Sequence, residues 1–463
     1  MRILLLQQEM GRRQKEKPVF PLGLASLASV LIKKHKVKVF DPNIFPSPCE
    51  ASKRLAQIMA DFSPDVVGIS IKYIETIEKS DTYVYYKNIR NMLGEVKAIN
   101  PKSVVIAGGA GFSIFAKEIM RDLPSLDFGV YLEGEDSLFE LLDNLDNPEN
   151  VRGIFIRRGG EPFFTGSRQL PDFEKLDMFS LNPEVLDISR YICDDYQVFG
   201  IQSKRGCAHE CAYCSYPQLN GRLLRLKDPV KLVDEIEFLA KEYGLRTFSF
   251  ADNIFNVPQE HAYQICSEIL KRKLRVKWGA WFDLKNFSQE LLALAVSSGC
   301  SYVEFSPDAA TEKGLKLLGK GITLSDIDRS ISIIRNEKRI IVSYNFFCIH
   351  PAQTFFGMIR SLFLFAKIFL FLFGRVRISL AWIRIMPQTL MQQIAIKEGL
   401  IKEQEGLLAV NEDKLRHFLY SKASLRLLDI LCTYSVIIAD RCLKPVLKNI
   451  FKVTGKFYPF YYS

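Results

Sequence analysis

Short apolar runs alternate with helical patterns along most of this 463-residue chain. The first strand-like runs lie at 2–7, 37–40, 65–70, 103–107, 128–131 and 152–157. Short apolar runs that are separated by helices predict a parallel sheet with both faces covered. We therefore expect residues 1–157 to form a doubly wound, Rossmann-like α/β domain. Its ligand should lie beyond the carboxyl ends of the strands.

A second series of strands and helices follows a polar segment at 158–196, which is punctuated by Pro and Gly and predicts a linker. Strand-like runs recur at 198–202, 246–250, 275–280, 302–305, 340–347 and 377–384. Helical patterns follow these runs, and six such units in series predict a partial (β/α)6 barrel over 197–400. Residues 401–463 are predicted to form a helical C-terminal region.

Three of the ten cysteines lie in one loop, directly after the first strand of the second series. Cys207, Cys211 and Cys214 have the spacing C-x3-C-x2-C. Structural zinc sites usually offer two ligand pairs, and no second pair follows here. Thiolates are the usual ligands of iron–sulfur clusters, so a cluster is the main hypothesis, with a partial zinc site or a surface turn as alternatives. The loop should lie at the carboxyl-end mouth of the barrel, where barrels hold their active sites.

This spacing, with the aromatic Tyr213 directly before the third cysteine, resembles the radical S-adenosylmethionine (SAM) superfamily. The resemblance implies a 4Fe–4S cluster on three cysteines, with one iron left open for the amino and carboxylate groups of SAM. It implies reductive cleavage of SAM to a 5′-deoxyadenosyl radical, and an external electron donor such as flavodoxin or ferredoxin. The protein then supplies binding, orientation and the exclusion of side reactions.

Further segments of the barrel resemble the same family, at 250–255, 301–310, 318–323 and 383–389. The resemblance implies SAM contacts at Tyr213, Asp252, Glu304, Asp308 and Arg384. A ribose needs carboxylate or amide acceptors and a SAM carboxylate needs a cation, although each of these charges could also be a solvated strand end. The sequence departs from the family where relatives often carry Arg, at 280–283, and where they commonly carry Gly, at Ser306 and Gln388.

The first domain resembles the cobalamin-binding group of that superfamily, through segments at 21–28, 66–70, 107–109 and 132–136. The resemblance implies a cobalamin site that includes Ser70, Gly108, Gly109 and Glu135. Small residues let a flat corrin approach the backbone, but tight βα turns explain the glycines equally well. Many cobalamin proteins offer Asp-x-His-x-x-Gly after the first strand. The corresponding loop at 7–13 has no His, a feature shared with many members of the radical group.

These resemblances imply a cobalamin-dependent radical SAM methyltransferase that acts on an unactivated carbon or phosphorus centre. One alternative is a radical rearrangement, dehydration or ring closure without cobalamin. The other is a non-catalytic iron–sulfur protein. We expect a small-molecule or lipid-like substrate and no nucleic-acid partner.

The distribution of charge and apolar residues bears on location. The net charge is +10, and residues 411–463 contribute nine Lys/Arg against four Asp/Glu. This basic region, with aromatic residues at 457–462, predicts peripheral contact with an anionic membrane or a solvated helical face. The apolar run 362–373 is too short to span a bilayer and predicts a buried or interfacial helix. The chain starts MRILLLQQEMGRR, an apolar strand that is followed by basic residues, whereas a signal peptide has the reverse order, so we expect a reducing cytoplasm.

Overall fold

Two largely parallel sheets covered by helices organise the protein, as predicted. A computed structural model describes residues 1–11, 18–176 and 178–438. The predicted membrane-contacting aromatic residues at 457–462 lie outside these ranges, as does the basic segment that precedes them. The domain boundaries predicted at 157, 196 and 400 remain predictions.

The first sheet accounts for the N-terminal α/β pattern. Its strands are β1 (Arg2–Gln7), β2 (Lys36–Phe40), β3 (Val66–Ser70), β4 (Val104–Gly108), β5 (Phe128–Val130), β6 (Ile154–Arg158) and β7 (Glu161–Phe164). Its helices are α1 (Leu22–Leu31), α2 (Pro48–Phe62), α3 (Tyr86–Ile99), α4 (Ala110–Ile114), α5 (Ala116–Asp122) and α6 (Glu135–Asp143). The strand order is β2-β1-β3-β4-β5-β6-β7. The order reverses between β1 and β3, and ligands of doubly wound sheets bind at this switch point.

Strand β7 was not predicted, because it lies inside the segment assigned to a linker. A turn at Gly159–Gly160 folds the chain back, and β7 pairs antiparallel with β6. The strand therefore extends the first sheet at its edge. The Gly and Pro residues of this segment mark a hairpin turn here, so the interpretation of 161–164 as irregular is wrong.

The second sheet is all parallel and forms the partial barrel. Its order is β15 (Val376–Ala381), β14 (Ile341–Phe347), β13 (Cys300–Asp308), β12 (Lys277–Trp281), β11 (Thr247–Phe250) and β8 (Gly200–Ile201). A short antiparallel pair, β9 (Lys204–Arg205) and β10 (Arg225–Leu226), lies at its edge. The sequence predicted all six strands of this sheet.

Helices alternate with these strands and continue into the C-terminal region. They are α7 (Tyr216–Asn220), α8 (Pro229–Glu242), α9 (Gln259–Lys271), α10 (Gln289–Ser297), α11 (Glu312–Leu318), α12 (Leu324–Asn336), α13 (Phe355–Phe371), α14 (Leu390–Lys397), α15 (Glu412–Phe418) and α16 (Arg426–Ile438). Within the described ranges, no helix combines the length and the apolar character that a membrane crossing requires.

A buried charge cluster connects the two sheets. The guanidinium of Arg205, in β9, lies 2.8 Å from carboxylate oxygens of both Glu133 and Glu135. Arg225, in β10, also donates to Glu133, at 2.9 Å. The side chains of Arg205 and the two glutamates are less than a tenth exposed. Burial would raise the pKa of Glu135, but Arg205 and Ser26 outweigh it and lower this pKa.

We predict that Arg205→Ala destabilises the protein by about 3–5 kcal/mol, because it leaves the buried carboxylate of Glu135 without its cation and Glu133 with Arg225 alone. The control is Arg121→Ala. The ion pair of Arg121 with Glu161 is more than half exposed on both sides, and its loss should cost at most about 1 kcal/mol. Urea denaturation of both variants measures the two changes. Equal losses would show that the buried cluster does not hold the domains together.

Candidate functional site

The cysteine loop runs from β9 to α7 at the carboxyl-end mouth of the barrel. Gly206 precedes it with φ +102°, and a side chain there would meet the carbonyl oxygen of Leu223 at 2.1 Å. Glycine is therefore required where the strand enters the loop. The amide of Cys207 donates to Gly221 at 3.0 Å, and the amide of Cys214 donates to Cys211 at 3.1 Å. These bonds fix the path of the loop.

The opposite side of the barrel supports the same loop. The amide of Ala212 donates to the carbonyl of Leu318 at 3.0 Å, and the amide of Met391 donates to the carbonyl of Ala212 at 2.9 Å. Leu318 ends α11 and Met391 lies in α14, so the loop is held across the mouth. The segment 318–323, which the family resemblance singled out, thus contacts the loop directly.

The three thiols are free and at least partly buried. Burial raises the pKa of Cys211 to about 12 and that of Cys214 to about 11. A bare thiolate is therefore disfavoured here, and a positively charged metal centre would reverse this preference. Among the residues that the structure describes, no three His, Cys, Asp or Glu side chains converge on a position for one metal ion. The thiolates of a cluster bind different irons, so they need not converge on one position.

Tyr213 and Asp308, two of the predicted SAM contacts, meet beside the loop. The hydroxyl of Tyr213 donates to Asp308 at 2.6 Å, and the ring of Tyr213 meets Phe347 edge-on at 4.7 Å. The ammonium of Lys320 lies 3.0 Å from the same carboxylate. Burial would lower the pKa of Lys320, but Asp308 and the Cys211 thiol together raise it. Lys320 was not singled out from the sequence, although it lies in the quoted segment 318–323.

Glu304 lies on β13 and faces the barrel interior. Its carboxylate accepts from the side-chain amide of Asn345, at 3.0 Å. Burial raises the pKa of Glu304, while Asn345 and Arg377 oppose the change. The side chain is nevertheless partly accessible. A group that is accessible to solvent but desolvated enough to shift its pKa is typical of a deep cleft.

Asp252 and Arg384 make structural contacts instead of pointing free polar groups at the loop. Asp252 accepts from the amide and hydroxyl of Ser203, at 2.8 and 2.5 Å, and so fixes the turn that leads into β9. The guanidinium of Arg384 lies 2.8 Å from Glu75 and also donates to the carbonyls of Ile385 and Leu407. Both side chains are buried.

Two of the four predicted cobalamin residues lie at open strand ends, and the other two are explained by structural contacts. Ser70 and Gly108 are partners in the β3–β4 register, at the carboxyl ends of these strands. A side chain at Gly108 would have ordinary contacts of 3.6 Å, so this position has room. Gly109 has φ +100°, and a side chain there would lie 2.7 Å from the carbonyl of Ile71. A tight turn therefore explains Gly109 without a ligand. The carboxylate of Glu135 is already bonded to Ser26 and Arg205.

Gln8 occupies the loop where other cobalamin proteins carry histidine, and sequence analysis did not single it out. Its carbonyl oxygen accepts from the amides of Lys72 and Tyr73, both at 3.0 Å. Its amide donates to the carbonyl of Tyr73 at 2.6 Å. Gln8 thus ties the loop after β1 to the loop after β3, across the switch point of the sheet.

The two mouths face each other. Helix α4, which follows β4, packs against α7, which follows the cysteine loop. Tyr216, at the start of α7, is half exposed, yet burial raises its pKa to about 12, with smaller contributions from Tyr73, Cys214 and Cys207. The contributions of Tyr73, Cys214 and Cys207 place Tyr216 between the loop after β3 and the cysteine loop.

Family models match both halves of the chain. The model described as "B12 binding domain" matches residues 15–142, and the model described as "Radical SAM superfamily" matches residues 201–355. The first covers strands β2 to β5 of the first sheet, and the second begins just before the cysteine loop.

Similar proteins carry related names. An uncharacterized methyltransferase of Pyrococcus horikoshii is 27% identical over 323 residues, 69% of this chain and 66% of that protein. The anaerobic magnesium-protoporphyrin IX monomethyl ester cyclase of Rubrivivax gelatinosus is 27% identical over 285 residues, 59% of this chain and 49% of the cyclase. The chain thus spans between half and two thirds of the length of these relatives.

A solved structure shares the fold. The radical S-adenosylmethionine methyltransferase TsrM of Kitasatospora setae, with cobalamin and a [4Fe-4S] cluster bound, superposes with a TM-score of 0.74. The sequence identity is 19%, and the match covers 91% of this chain and 86% of TsrM. This likeness establishes the two-domain fold.

We predict that Lys320→Met destabilises the cysteine loop region by about 3 kcal/mol, because Asp308 loses its buried cation. The double variant Asp308→Asn, Lys320→Met should lose less than the single variant, since no buried charge is left alone. Urea denaturation in the same metal state measures both. If the two substitutions are instead additive, the contact between Asp308 and Lys320 does not hold the loop.

Proposed function

We propose that this chain, which belongs to the radical SAM superfamily and carries an N-terminal B12-binding domain, is a cobalamin-dependent methyltransferase. Its acceptor would be an unactivated carbon or phosphorus centre. The observation that carries the proposal is the packing of α4 against α7. This contact turns the switch point of the first sheet toward the cysteine loop, so cofactors bound at the two mouths would share one cleft.

Cys207, Cys211 and Cys214 would hold a 4Fe–4S cluster. Their burial and free thiols support this assignment, because a cluster would stabilise thiolates that the bare protein disfavours. The cluster supplies electrons that cleave SAM to a carbon-centred radical, and cobalamin supplies a carrier for the methyl group. An external donor such as flavodoxin or ferredoxin would deliver the electrons.

The chain's own residues would bind and orient SAM. Glu304 in the barrel interior offers a carboxylate acceptor to ribose hydroxyls. Tyr213, Asp308 and Lys320 form a hydrogen-bonded group beside the loop, and the Lys320 ammonium suits the SAM carboxylate. Asp252 and Arg384 would act indirectly, by fixing the strand ends that carry these groups.

Cobalamin would lie over the carboxyl ends of β3 and β4, at Ser70 and Gly108. The space beside Gly108 supports this placement. Gly109 would shape the turn, and Glu135 would hold Arg205. Gln8 lies where an imidazole ligand would otherwise be, and its side chain is bonded to the loop after β3. The protein would therefore offer no imidazole from this loop to the cobalt.

A second candidate function is radical ring closure, which the similarity to the Rubrivivax cyclase favours. The two candidates differ in their products from SAM. Methyl transfer releases S-adenosylhomocysteine in addition to 5′-deoxyadenosine, whereas ring closure without methyl transfer releases only the latter. A non-catalytic iron–sulfur protein would release neither.

We further propose a cytoplasmic location, a small-molecule or lipid-like substrate and a peripheral membrane contact through the C-terminal region. The basic residues of 411–463 support the membrane contact by their charge. The free thiols among the described residues suit a reducing compartment.

We predict that Cys207→Ala, Cys211→Ala or Cys214→Ala abolishes iron binding and 5′-deoxyadenosine release, because a cluster cannot form on two thiolates of this loop. Matched controls are Cys266→Ala and Cys300→Ala, whose cysteines are buried in the barrel outside the loop. Both controls should keep iron binding and 5′-deoxyadenosine release. Iron analysis and product chromatography after anaerobic reconstitution measure the effect. A loop variant that keeps a 4Fe–4S spectrum and releases the nucleoside contradicts the assignment.

We predict that Gly108→Leu lowers cobalamin affinity at least about tenfold while iron content stays unchanged, since the added side chain fills the proposed corrin space. The control is Gly94→Leu, at an exposed position of α3 with open space around it. Cobalt analysis and equilibrium titration of anaerobically purified protein measure the cobalamin content and affinity of both variants. If the wild-type protein binds no cobalamin at micromolar concentration, ring closure or another radical reaction without cobalamin replaces methyl transfer.

A further inference from the structure

Helix α13 presents its large apolar side chains outward. Phe356, Phe363 and Leu370 are 75%, 71% and 74% exposed. They recur every seven residues, so they form one line along the helix. Other exposed apolar side chains widen this line to a stripe: Phe355, Leu362, Phe369, Phe371 and Phe373. Lone exposed apolar residues are ordinary, but a continuous stripe of this kind marks an interaction surface.

The inner face of the same helix combines small buried residues with Met358, Leu364 and Phe365, which pack partly against the core. Gly357, Ser361 and Ile368 are its buried positions. A helix that only covers a barrel would place its largest apolar residues inward. In α13 Phe365 packs inward against Phe346, at 4.8 Å between ring centroids. The other phenylalanines of the helix are 44–75% exposed, so core packing does not explain them.

Helix α16 adds a second stripe beside the first. Leu427, Ile430, Leu431 and Tyr434 are exposed at helical spacing. The sulfur of Cys432 lies 4.0 Å from the sulfur of Met358, which places α16 against α13. The two helices are therefore neighbours, and we call their exposed apolar residues together the α13–α16 face.

Positive charges border this face. Arg360 and Lys367 are seven residues apart and lie on one flank of the α13 stripe. Lys367 reaches Asp328 at 2.6 Å. The sequence from 439 to 463, outside the described residues, carries five Lys/Arg and one Asp. Apolar residues with a basic border are typical of helices that lie in the interface of an anionic membrane.

The charges favour a bilayer over the other possible occupants. The segment 439–463 is itself basic, so its charge does not complement the basic flank of the face. A second copy would bring the same basic flank and the same basic tail to the contact. Anionic headgroups complement the charge of the basic flank and of the basic sequence 439–463, and acyl chains complement the apolar stripe. Helix α13 spans about 26 Å but carries two basic residues, so it suits a position along the interface.

We propose that the α13–α16 face docks on a bilayer that contains anionic phospholipid. The inference goes beyond the proposed reaction and deepens the proposed membrane contact, because it assigns that contact to a defined outer surface of the barrel. Helix α13 follows β14, so its first turn lies at the same end of the barrel as the cysteine loop. A docked bilayer would present lipid-like substrates near that mouth. The delivery of lipid-like substrates to the mouth rests on the proposed methyl transfer, whereas docking itself does not.

The test is flotation of the full-length protein with vesicles. We expect the wild type to float with phosphatidylcholine–phosphatidylglycerol vesicles, more weakly with phosphatidylcholine alone, and less at high salt. The variant Phe356→Ser, Phe363→Ser, Leu370→Ser should lose at least about 100-fold in vesicle affinity, since each buried large side chain contributes tenfold or more. The matched control is Ile32→Ser, Val230→Ser, Phe238→Ser, three exposed apolar positions elsewhere, which should float like the wild type.

Several outcomes overturn the proposal. Wild-type protein that does not float with anionic vesicles contradicts the proposal. A triple α13 variant that is folded by circular dichroism and floats like the wild type also contradicts it. If light scattering shows a dimer that the α13 variant loses and vesicles have no effect, the face binds a second copy. Because flotation needs no cofactor, failure of docking and failure of methyl transfer are observed separately.

Discussion

The contact of Arg205 with Glu133 and Glu135 determines how the two halves of this protein work together. Arg205 lies two residues before Cys207, so the same short strand holds the cysteine loop and the first domain. Its carboxylate partners are buried, and Glu135 lies in the first turn of α6, where the helix dipole favours a negative charge. A charge cluster of this kind is costly to break from one side. The cleft between the mouths therefore depends on it.

A second anchor holds the other edge of the cleft. Arg384, after β15, forms a fully buried ion pair with Glu75, after β3. Nearby, Lys79 bonds Asp429 at 2.5 Å, and the indole of Trp382 donates to the same carboxylate. The C-terminal region thus clamps the first domain to the barrel. With anchors at both edges, the two mouths keep a fixed separation, which suits a methyl carrier and a radical source that must meet one substrate.

The fold and the position of the cysteine loop at the mouth of the barrel could be predicted because both depend on local patterns. Strands buried on both faces are continuous apolar runs, and three cysteines in eight residues have few uses. The roles of Arg384, Asp252 and Glu135 could not be predicted in this way. Arg384 and Glu75 are 309 residues apart, and only the folded chain shows that they neutralise each other. Strand β7 was missed for a related reason, since a Gly-Gly pair marks both hairpins and linkers.

Helix α13 shows where the apolar pattern of a sequence stops being informative. The run 362–373 has phenylalanine or leucine on every side, so its periodicity leaves the buried face undetermined. In the structure, small residues determine which face of α13 is buried, because Gly357 and Ser361 let the helix approach the barrel closely. Apart from Phe365, the large phenylalanines are thereby left outside, where α16 adds further exposed apolar side chains. A surface with this composition and charge lowers its free energy only when something apolar and anionic covers it, and a bilayer provides both.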